Sequence, residues 1–486
     1  MTSTSAQKRS SDARPLQLED FRRVEMTNFN ESTRTSQAAI WYRDALYVGT
    51  GRAMLGFMGR YTAKQGDQAG AGPGRFGAMR PDTGGREEDG AQVWRYVPGT
   101  NEWTLVYNSP LVEGRDGKVR ARDRSVRAIG ICQTSSDSEP ALYLGVGSLE
   151  RQVVFVRSTD GINFEECEEQ GFGLGDVDVP SARNIAELDG RMYSTPTGKN
   201  FGRGMWDDNL TDYPFVFETS DPLHGHWRPV NEAGFGDGNN HSINELVAFE
   251  GCLYAATIND RRGFQVWKTR PEGDPPYRWT RILENGAWRP ISSVPSAMKV
   301  YNGALYICAT LQRQGRNGRD RFGPFPAEMI RVYPDDTWDL VSGTPRFTPN
   351  GFKRPTSGML GGLGDYFTHV FWRMAEYDGW LYMGTAGWKW MPTYLRDRND
   401  LTPEQLQWLQ EQTNARVDGE FSLWRTRDGD HWEAVTRTGF PGANPLNYGI
   451  RELISTPVGL YVFPTCKVGA SKGGGLEIWN AHKDHL

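Results

Sequence analysis

Seven times along its 486 residues the chain runs an apolar stretch into a short polar turn and back into an apolar run centred on a Leu-Tyr or Met-Tyr pair. The segments are AAIWYRDALYVGTG, RAIGICQTSSDSEPALYLGVGS, ARNIAELDGRMYSTPTG, NELVAFEGCLYAATIN, AMKVYNGALYICAT, FWRMAEYDGWLYMGTAG and RELISTPVGLYVFPTC, and their pairs end at Tyr47, Tyr143, Tyr193, Tyr254, Tyr306, Tyr382 and Tyr461. Two apolar runs around Asp-Gly, Glu-Gly or Asn-Gly read as a β-hairpin, because these dipeptides accept the positive φ that a tight hairpin turn requires. Seven hairpins imply seven structural units.

Six units continue into a second pair of short strands, such as QVWRYVPGTNEWTLV after the first and FSLWRTRDGDHWEAV after the sixth. Four antiparallel strands repeated radially make the blade of a β-propeller. A lone blade cannot bury both of its faces, so neighbours must pack face to face. The sequence therefore predicts an all-β, seven-bladed β-propeller, with residues 1–16 as a tail and 17–486 as a single domain with long loops on one face. The repeat overrides the length, which alone would suggest about three average domains. Composition agrees: 57 Gly and 28 Pro supply turns, while 17 Trp, 19 Tyr and 22 Phe suit strands.

The seventh unit supplies only a third strand, LEIWNAHK around Trp479, before the chain ends. An aromatic followed eight residues later by Phe recurs as Phe164 to Phe172, Trp227 to Phe235 and Trp432 to Phe440, and Phe21 to Phe29 has the same spacing. That spacing predicts Phe21–Glu25 as the outer strand of the last blade, so that the N-terminus closes the ring and removes its open edge.

The turns STDGINF (Ser158–Phe164) and TRDGDHW (Thr426–Trp432), with the looser TSDPLHGHW, resemble the Asp-box of sialidase-like propellers. The resemblance implies a tight turn made by Asp and Gly, with the aromatic tucked into the blade. It carries no catalysis, because a sialidase-type FRIP start is absent and seven units stand where sialidases have six. The architecture is also similar to that of the cylindrocyclophane-forming alkylating type, whose calcium-binding repeats are absent here.

A net charge of −5 and a pI near 5.9 provide no field for a polyanion, so no nucleic-acid partner is expected. No apolar stretch of about 18 residues and no signal-type core occur, which predicts a cytoplasmic protein without a membrane partner. Cys132, Cys167, Cys252, Cys308 and Cys466 are scattered and odd in number, and read as buried thiols. The pair His224 and His226 lies on an outer turn. No motif names a cofactor or metal, and oligomeric state is open.

Long insertions fall at Arg52 to Ala91, Lys199 to Pro214, Leu311 to Ala327 and Trp388 to Glu420, and a long connection runs from Ser342 to Thr368. The repeat puts all of them on one face, which marks it as the working face. Inside the fourth insertion, Thr402 is a plausible N-cap for a helix starting at Pro403. The residues entering innermost strands are Arg127, Arg183, Asn244 with Glu245, Ser296, Trp372 with Arg373, and Arg451 with Glu452. Near them fall His241, His369, Arg52, Lys199, Asn200, Asp260, Arg261 and Lys467.

Arg52, Arg127, Arg183, Asn244, Trp372, Arg373, Arg451 and Lys467 are expected to bind substrate, since guanidinium forks match carboxylate, sulfate or phosphate. Bracing of neighbouring blades is the competing role for each arginine. His369, preferred, and His241 are the expected acid–base residues, followed by Glu245 and Glu452. The channel-facing position changes from Arg to Asn to Ser to Trp, whereas a lectin or interaction scaffold would repeat its ligand residues from unit to unit. The expectation is an enzyme, a hydrolase, lyase or transferase, with one asymmetric site for a small anionic or aromatic molecule.

Overall fold

The computed structural model describes residues 14–26, 33, 35–51, 90–114, 117–147, 152–200, 206–207, 209–311, 325–387, 402–414, 421–466 and 474–482. Strands dominate it, and the one long helix among the described residues is Pro403–Asn414. Two compact units are described separately: Thr27–Pro295 with Gly469–Gly475, and Met1–Met26 with Ser296–Val468 and Leu476–Leu486.

The Thr27–Pro295 unit carries four four-stranded antiparallel sheets, each laid down in chain order. Their first strands, each at one edge of its sheet, are Ser36–Tyr42, Ser125–Cys132, Ser181–Leu188 and Asn240–Phe249. The other unit carries a sheet built on Val294–Tyr301 and an eight-stranded sheet. In the latter, two four-strand sets beginning at Thr368–Tyr377 and Asn447–Thr456 are joined by the single pair Ala386–Gly449.

All seven repeat tyrosines lie in second strands and are at most 2% exposed. At Asp189-Gly190, Glu250-Gly251, Asn302-Gly303 and Asp378-Gly379 both turn residues take positive φ, 51° and 72° in the first case. The expected two-residue hairpins are present because these residues tolerate the left-handed region.

Phe21–Arg23 pairs antiparallel with Trp479–Ala481, with Phe21 opposite Ala481. The Phe21 ring stacks on Phe440 at 4.7 Å, and Phe440 in turn lies 5.0 Å from Trp479. The strand ends at Arg23, short of the expected Glu25, and the Val24 N–H beyond it donates to the Ile478 carbonyl at 2.8 Å. Phe29 lies outside the described residues. Leu16, assigned to the tail from sequence, is buried: its N–H donates to the Tyr382 hydroxyl at 2.9 Å and Arg425 donates to its carbonyl. The anchored chain thus begins before residue 17.

The two Asp-Gly turns have matching geometry. Asp160 Oδ1 accepts the N–H groups of Ile162 and Asn163 at 2.8 Å each, and Ser158 Oγ accepts that of Gly161 at 2.8 Å. Asp428 Oδ1 and Thr426 Oγ1 repeat these bonds toward Asp430, His431 and Gly429. The backbone donors of Asn163 and Ile162 hold the Asp160 carboxyl well below its usual range. All five cysteines are buried free thiols, as read from sequence.

Candidate functional site

The first strands of these sheets are irregular where the site residues fall. In the Thr27–Pro295 unit the ladder slips between Ser36 and Ala38, Val126 and Ala128, Ala182 and Ile185, and Ile243 and Glu245. The extra residues are Gln37, Arg127, Arg183 with Asn184, and Asn244. In the other unit the slips between Phe371 and Arg373 and between Ile450 and Glu452 single out Trp372 and Arg451. A bulged residue leaves the ladder and its side chain is re-aimed out of the pleat alternation. Five substrate-binding candidates, Arg127, Arg183, Asn244, Trp372 and Arg451, are therefore bulge residues.

Three strands carry a second bulge three residues earlier. Its extra residues are His241, His369 and Tyr448. The two histidines thus hold equivalent places, and Tyr448 is a third member that sequence reasoning missed, as it missed Gln37. The common spacing His241 to Asn244, His369 to Trp372 and Tyr448 to Arg451 is the signal that would have found Tyr448.

In the Thr27–Pro295 unit, arginines from two neighbouring strands converge on one neutral oxygen. Asn209 Oδ1 accepts Arg127 Nη2 at 2.5 Å and Arg183 Nη1 at 3.1 Å. Asn209 comes from the Lys199 to Pro214 insertion, and its carbonyl accepts Ser242 Oγ at 2.6 Å. Arg183 Nε also donates to the Asn244 carbonyl at 2.7 Å, and Nη2 lies 3.6 Å from Glu245 Oε1. Asn244 is 1% exposed; its Nδ2 donates to the Pro295 carbonyl at 2.5 Å, while its Oδ1 has no partner among the described residues.

Next to Ser242, His241 Nε2 stands 2.9 Å from Asp260 Oδ1. Asp260 is buried and the imidazole retains 14% of its exposure. A carboxylate on one ring nitrogen fixes the ring's orientation and tautomer, so Nδ1 is left as the lone-pair nitrogen. Asp260, placed only near the site by sequence, is the residue that orients His241.

In the other unit the candidate Arg373 is a brace. Its Nε and Nη2 meet the two Glu452 oxygens at 3.1 and 3.4 Å, and Nη1 donates to the Trp372 carbonyl at 3.0 Å and the Ser296 carbonyl at 3.5 Å. Ser296 Oγ donates to the Phe371 carbonyl at 2.9 Å. Arg451 lies 5.2 Å over the Trp372 ring, with its Nη1 3.7 Å from Glu452, and Tyr448 sits 6.0 Å from Trp372. Glu452 is thereby held between two guanidinium groups, Arg373 and Arg451.

His369 Nδ1 lies 3.2 Å from Thr310 Oγ1, and that hydroxyl donates to the His369 carbonyl at 2.6 Å. Burial pulls the imidazole down to about 3, opposed only by the Phe325 carbonyl. Near neutrality His369 is thus the neutral imidazole and a weak base, which argues against the acid–base role expected of it. A depressed histidine contributes stability that is complete above 6.5 and is lost as pH falls toward 3. Melting temperature should therefore decline on acidification from neutral pH, and His369→Gln should flatten that decline; equal acid limbs for both proteins would contradict the burial.

Thr402 caps the helix Pro403–Asn414 as expected: its Oγ1 accepts the Gln405 N–H at 3.3 Å, and Gln405 Oε1 accepts the Thr402 N–H at 2.9 Å. Trp408 stacks on Phe367 at 6.0 Å, two residues before His369. Lys199 pairs with Asp212, and His224 with Asp221. Arg52, Lys467 and Trp388 lie outside the described residues. Among the described residues no group of three or more His, Cys, Asp or Glu side chains could hold a metal, and no helix is long and apolar enough to cross a membrane.

No family model matches the chain, and no curated protein matches its sequence. Among solved structures it is similar to an ancestral GH74 enzyme at 11% identity and TM-score 0.47, covering 94% of this chain and 49% of that one. It is similar to a prolyl endopeptidase at 8% identity and TM-score 0.42, covering 94% and 51%. It is also similar to the Trypanosoma rangeli sialidase at 10% identity and TM-score 0.36, covering 78% and 57%. The chain spans about half the length of the first two. At these scores the likenesses leave activity and substrate to be argued from the site itself.

Proposed function

We propose that the chain is an enzyme with one asymmetric active site in its Thr27–Pro295 unit, transferring a proton on a small anionic molecule as a hydrolase, lyase or transferase. The observation that carries this reading is the His241–Asp260 pair standing next in sequence to Ser242, which holds the Asn209 segment on which Arg127 and Arg183 converge. A carboxylate, sulfate or phosphate oxygen replacing the Asn209 amide oxygen would keep the charge-assisted bonds from both guanidinium groups and add an opposite charge and bidentate geometry. His241 Nδ1 then serves as the base toward the bound molecule or a water. The reading of the four-stranded sheets as blades of one seven-bladed β-propeller, a single domain, belongs to this proposal and rests on the sequence repeat.

A thermal-shift screen of carboxylic acids, sulfate and phosphate esters tests it, because a ligand at 100 times its Kd adds about 2.7 kcal/mol. Arg127→Met and Arg183→Met should abolish the shift while leaving the ligand-free melting temperature nearly unchanged. His241→Gln should keep the shift and lower turnover by about 100-fold or more. Large destabilisation by either arginine change, with ligand response retained, would assign the arginines to bracing. Full turnover in His241→Gln would remove that residue from the chemistry.

A further inference from the structure

The connection between Trp338–Ser342 and Thr368–Tyr377 folds into a ribbon of its own, Arg346–Thr348 paired with Gly351–Lys353. Phe347 lies directly opposite Phe352 with ring centroids 5.0 Å apart. Their exposures are 82% and 55%, and Phe347 is the most exposed large hydrophobic side chain among the described residues. Cross-strand partners project from the same face of a ribbon, so the two rings form one apolar tip.

The tip is firmly rooted. Arg346 Nη1 donates to both oxygens of the buried Glu328 at 2.8 and 3.1 Å. Lys353 lies 4.8 Å over the Trp338 ring and donates to the Trp338 carbonyl. Behind the ribbon, the Thr356 N–H donates to the Leu340 carbonyl at 2.8 Å and Ser357 Oγ to the Val341 carbonyl at 2.5 Å. Exposure of the rings is therefore built into an anchored element.

The ribbon's own segment carries charge of one sign. From Ser342 through Gly364 the sequence holds no Asp or Glu, but Arg346, Lys353 and Arg354. Glu328 neutralises Arg346. Lys353 uses its ammonium on Trp338 at the root, and the exposed Arg354 remains as the outward cation of the ribbon, in a chain whose net charge is −5.

We propose that this ribbon docks the protein on an anionic phospholipid surface, with Phe347 and Phe352 entering the interfacial layer and Arg354 meeting the headgroup anions. Aromatic side chains suit the interfacial layer, and basic side chains beside them add attraction to anionic lipid. A second copy is a poor occupant, because ring-to-ring packing would bring the two Arg354 charges together. The expectation of no membrane partner followed from the lack of a spanning segment, and interfacial docking needs none.

Co-sedimentation of the full chain with phosphatidylcholine vesicles and with mixed phosphatidylcholine–phosphatidylserine vesicles tests the proposal. Binding should be confined to the mixed vesicles and weaken as salt rises. Phe347→Ser should weaken it by roughly tenfold or more, and Arg354→Gln by about fivefold. Both residues are exposed, so melting temperatures should stay at the wild-type value. Absence of binding, equal binding to both vesicle types, or binding unchanged in both variants would overturn the proposal. So would self-association, seen by sedimentation velocity, that Phe347→Ser abolishes in the absence of vesicle binding.

Discussion

Removal of residues 1–30 is expected to leave the protein insoluble or without a cooperative melting transition, whereas removal of 1–13 should leave its melting temperature unchanged. The first cut deletes Leu16, whose two backbone groups bond Tyr382 and Arg425, and the strand Phe21–Arg23. It strips the stacked ring from Phe440 and leaves Trp479–Ala481 as an open sheet edge. Loss of a buried Phe side chain alone costs about 3–5 kcal/mol, against a total stability of roughly 5–15 kcal/mol for a domain. Circular-dichroism melts and size-exclusion profiles of the two truncations decide the matter. A soluble 31–486 protein with a sharp transition would show that the outer strand is dispensable.

Gly161→Ala should be nearly as damaging, at about 2–5 kcal/mol, from two separate costs. Gly161 has φ of 76°, a region costing an L-residue roughly 1–2 kcal/mol. Its added Cβ would also fall 1.9 Å from the Tyr47 hydroxyl and 2.8 Å from the ring carbon bearing it. That hydroxyl cannot yield freely, since it accepts Arg95 Nε at 3.2 Å and the ring is fully buried. Tyr47→Phe in the same chain removes the nearest atom and should recover part of the loss, giving a coupling of about 1–2 kcal/mol in a denaturation double-mutant cycle. Additive single changes would mean that the two groups are not in contact. Gly429 and Tyr306 repeat the arrangement in the other unit, with the same 1.9 Å approach.

These contacts explain why so much of the fold was legible. Each Leu-Tyr or Met-Tyr pair announces a second strand because the ring must be buried, and in two cases its hydroxyl is where an Asp-Gly turn sits. The strand Phe21–Arg23 was legible through an aromatic spacing that reflects real stacking, Phe21 on Phe440. The site was legible only to the level of the strand. Whether Arg127 or Val126 leaves the ladder depends on a slip against Val146 and Gly145, which involves two strands and leaves no mark in one. Asn209 was missed because it belongs to an insertion with no repeat register; Asp260 was placed near the strand entries, but its pairing with His241 depends on how that ring turns and was not legible. The Phe347–Phe352 ribbon was read as connection, although Pro349-Asn350-Gly351 between two Phe residues is a hairpin signal in itself.

The repeated bulge on the first strands bears on what a substitution there disturbs. Gln37, Arg127, Asn244, Trp372 and Arg451 stand outside the ladders that flank them. A residue so placed can be exchanged in size or charge while the neighbouring pairs keep their partners and faces. A change at one of these positions therefore leaves the register of its strand intact, whatever it does to the contacts of the side chain itself. Register and the side chain that the bulge presents are set by different residues of the same strand.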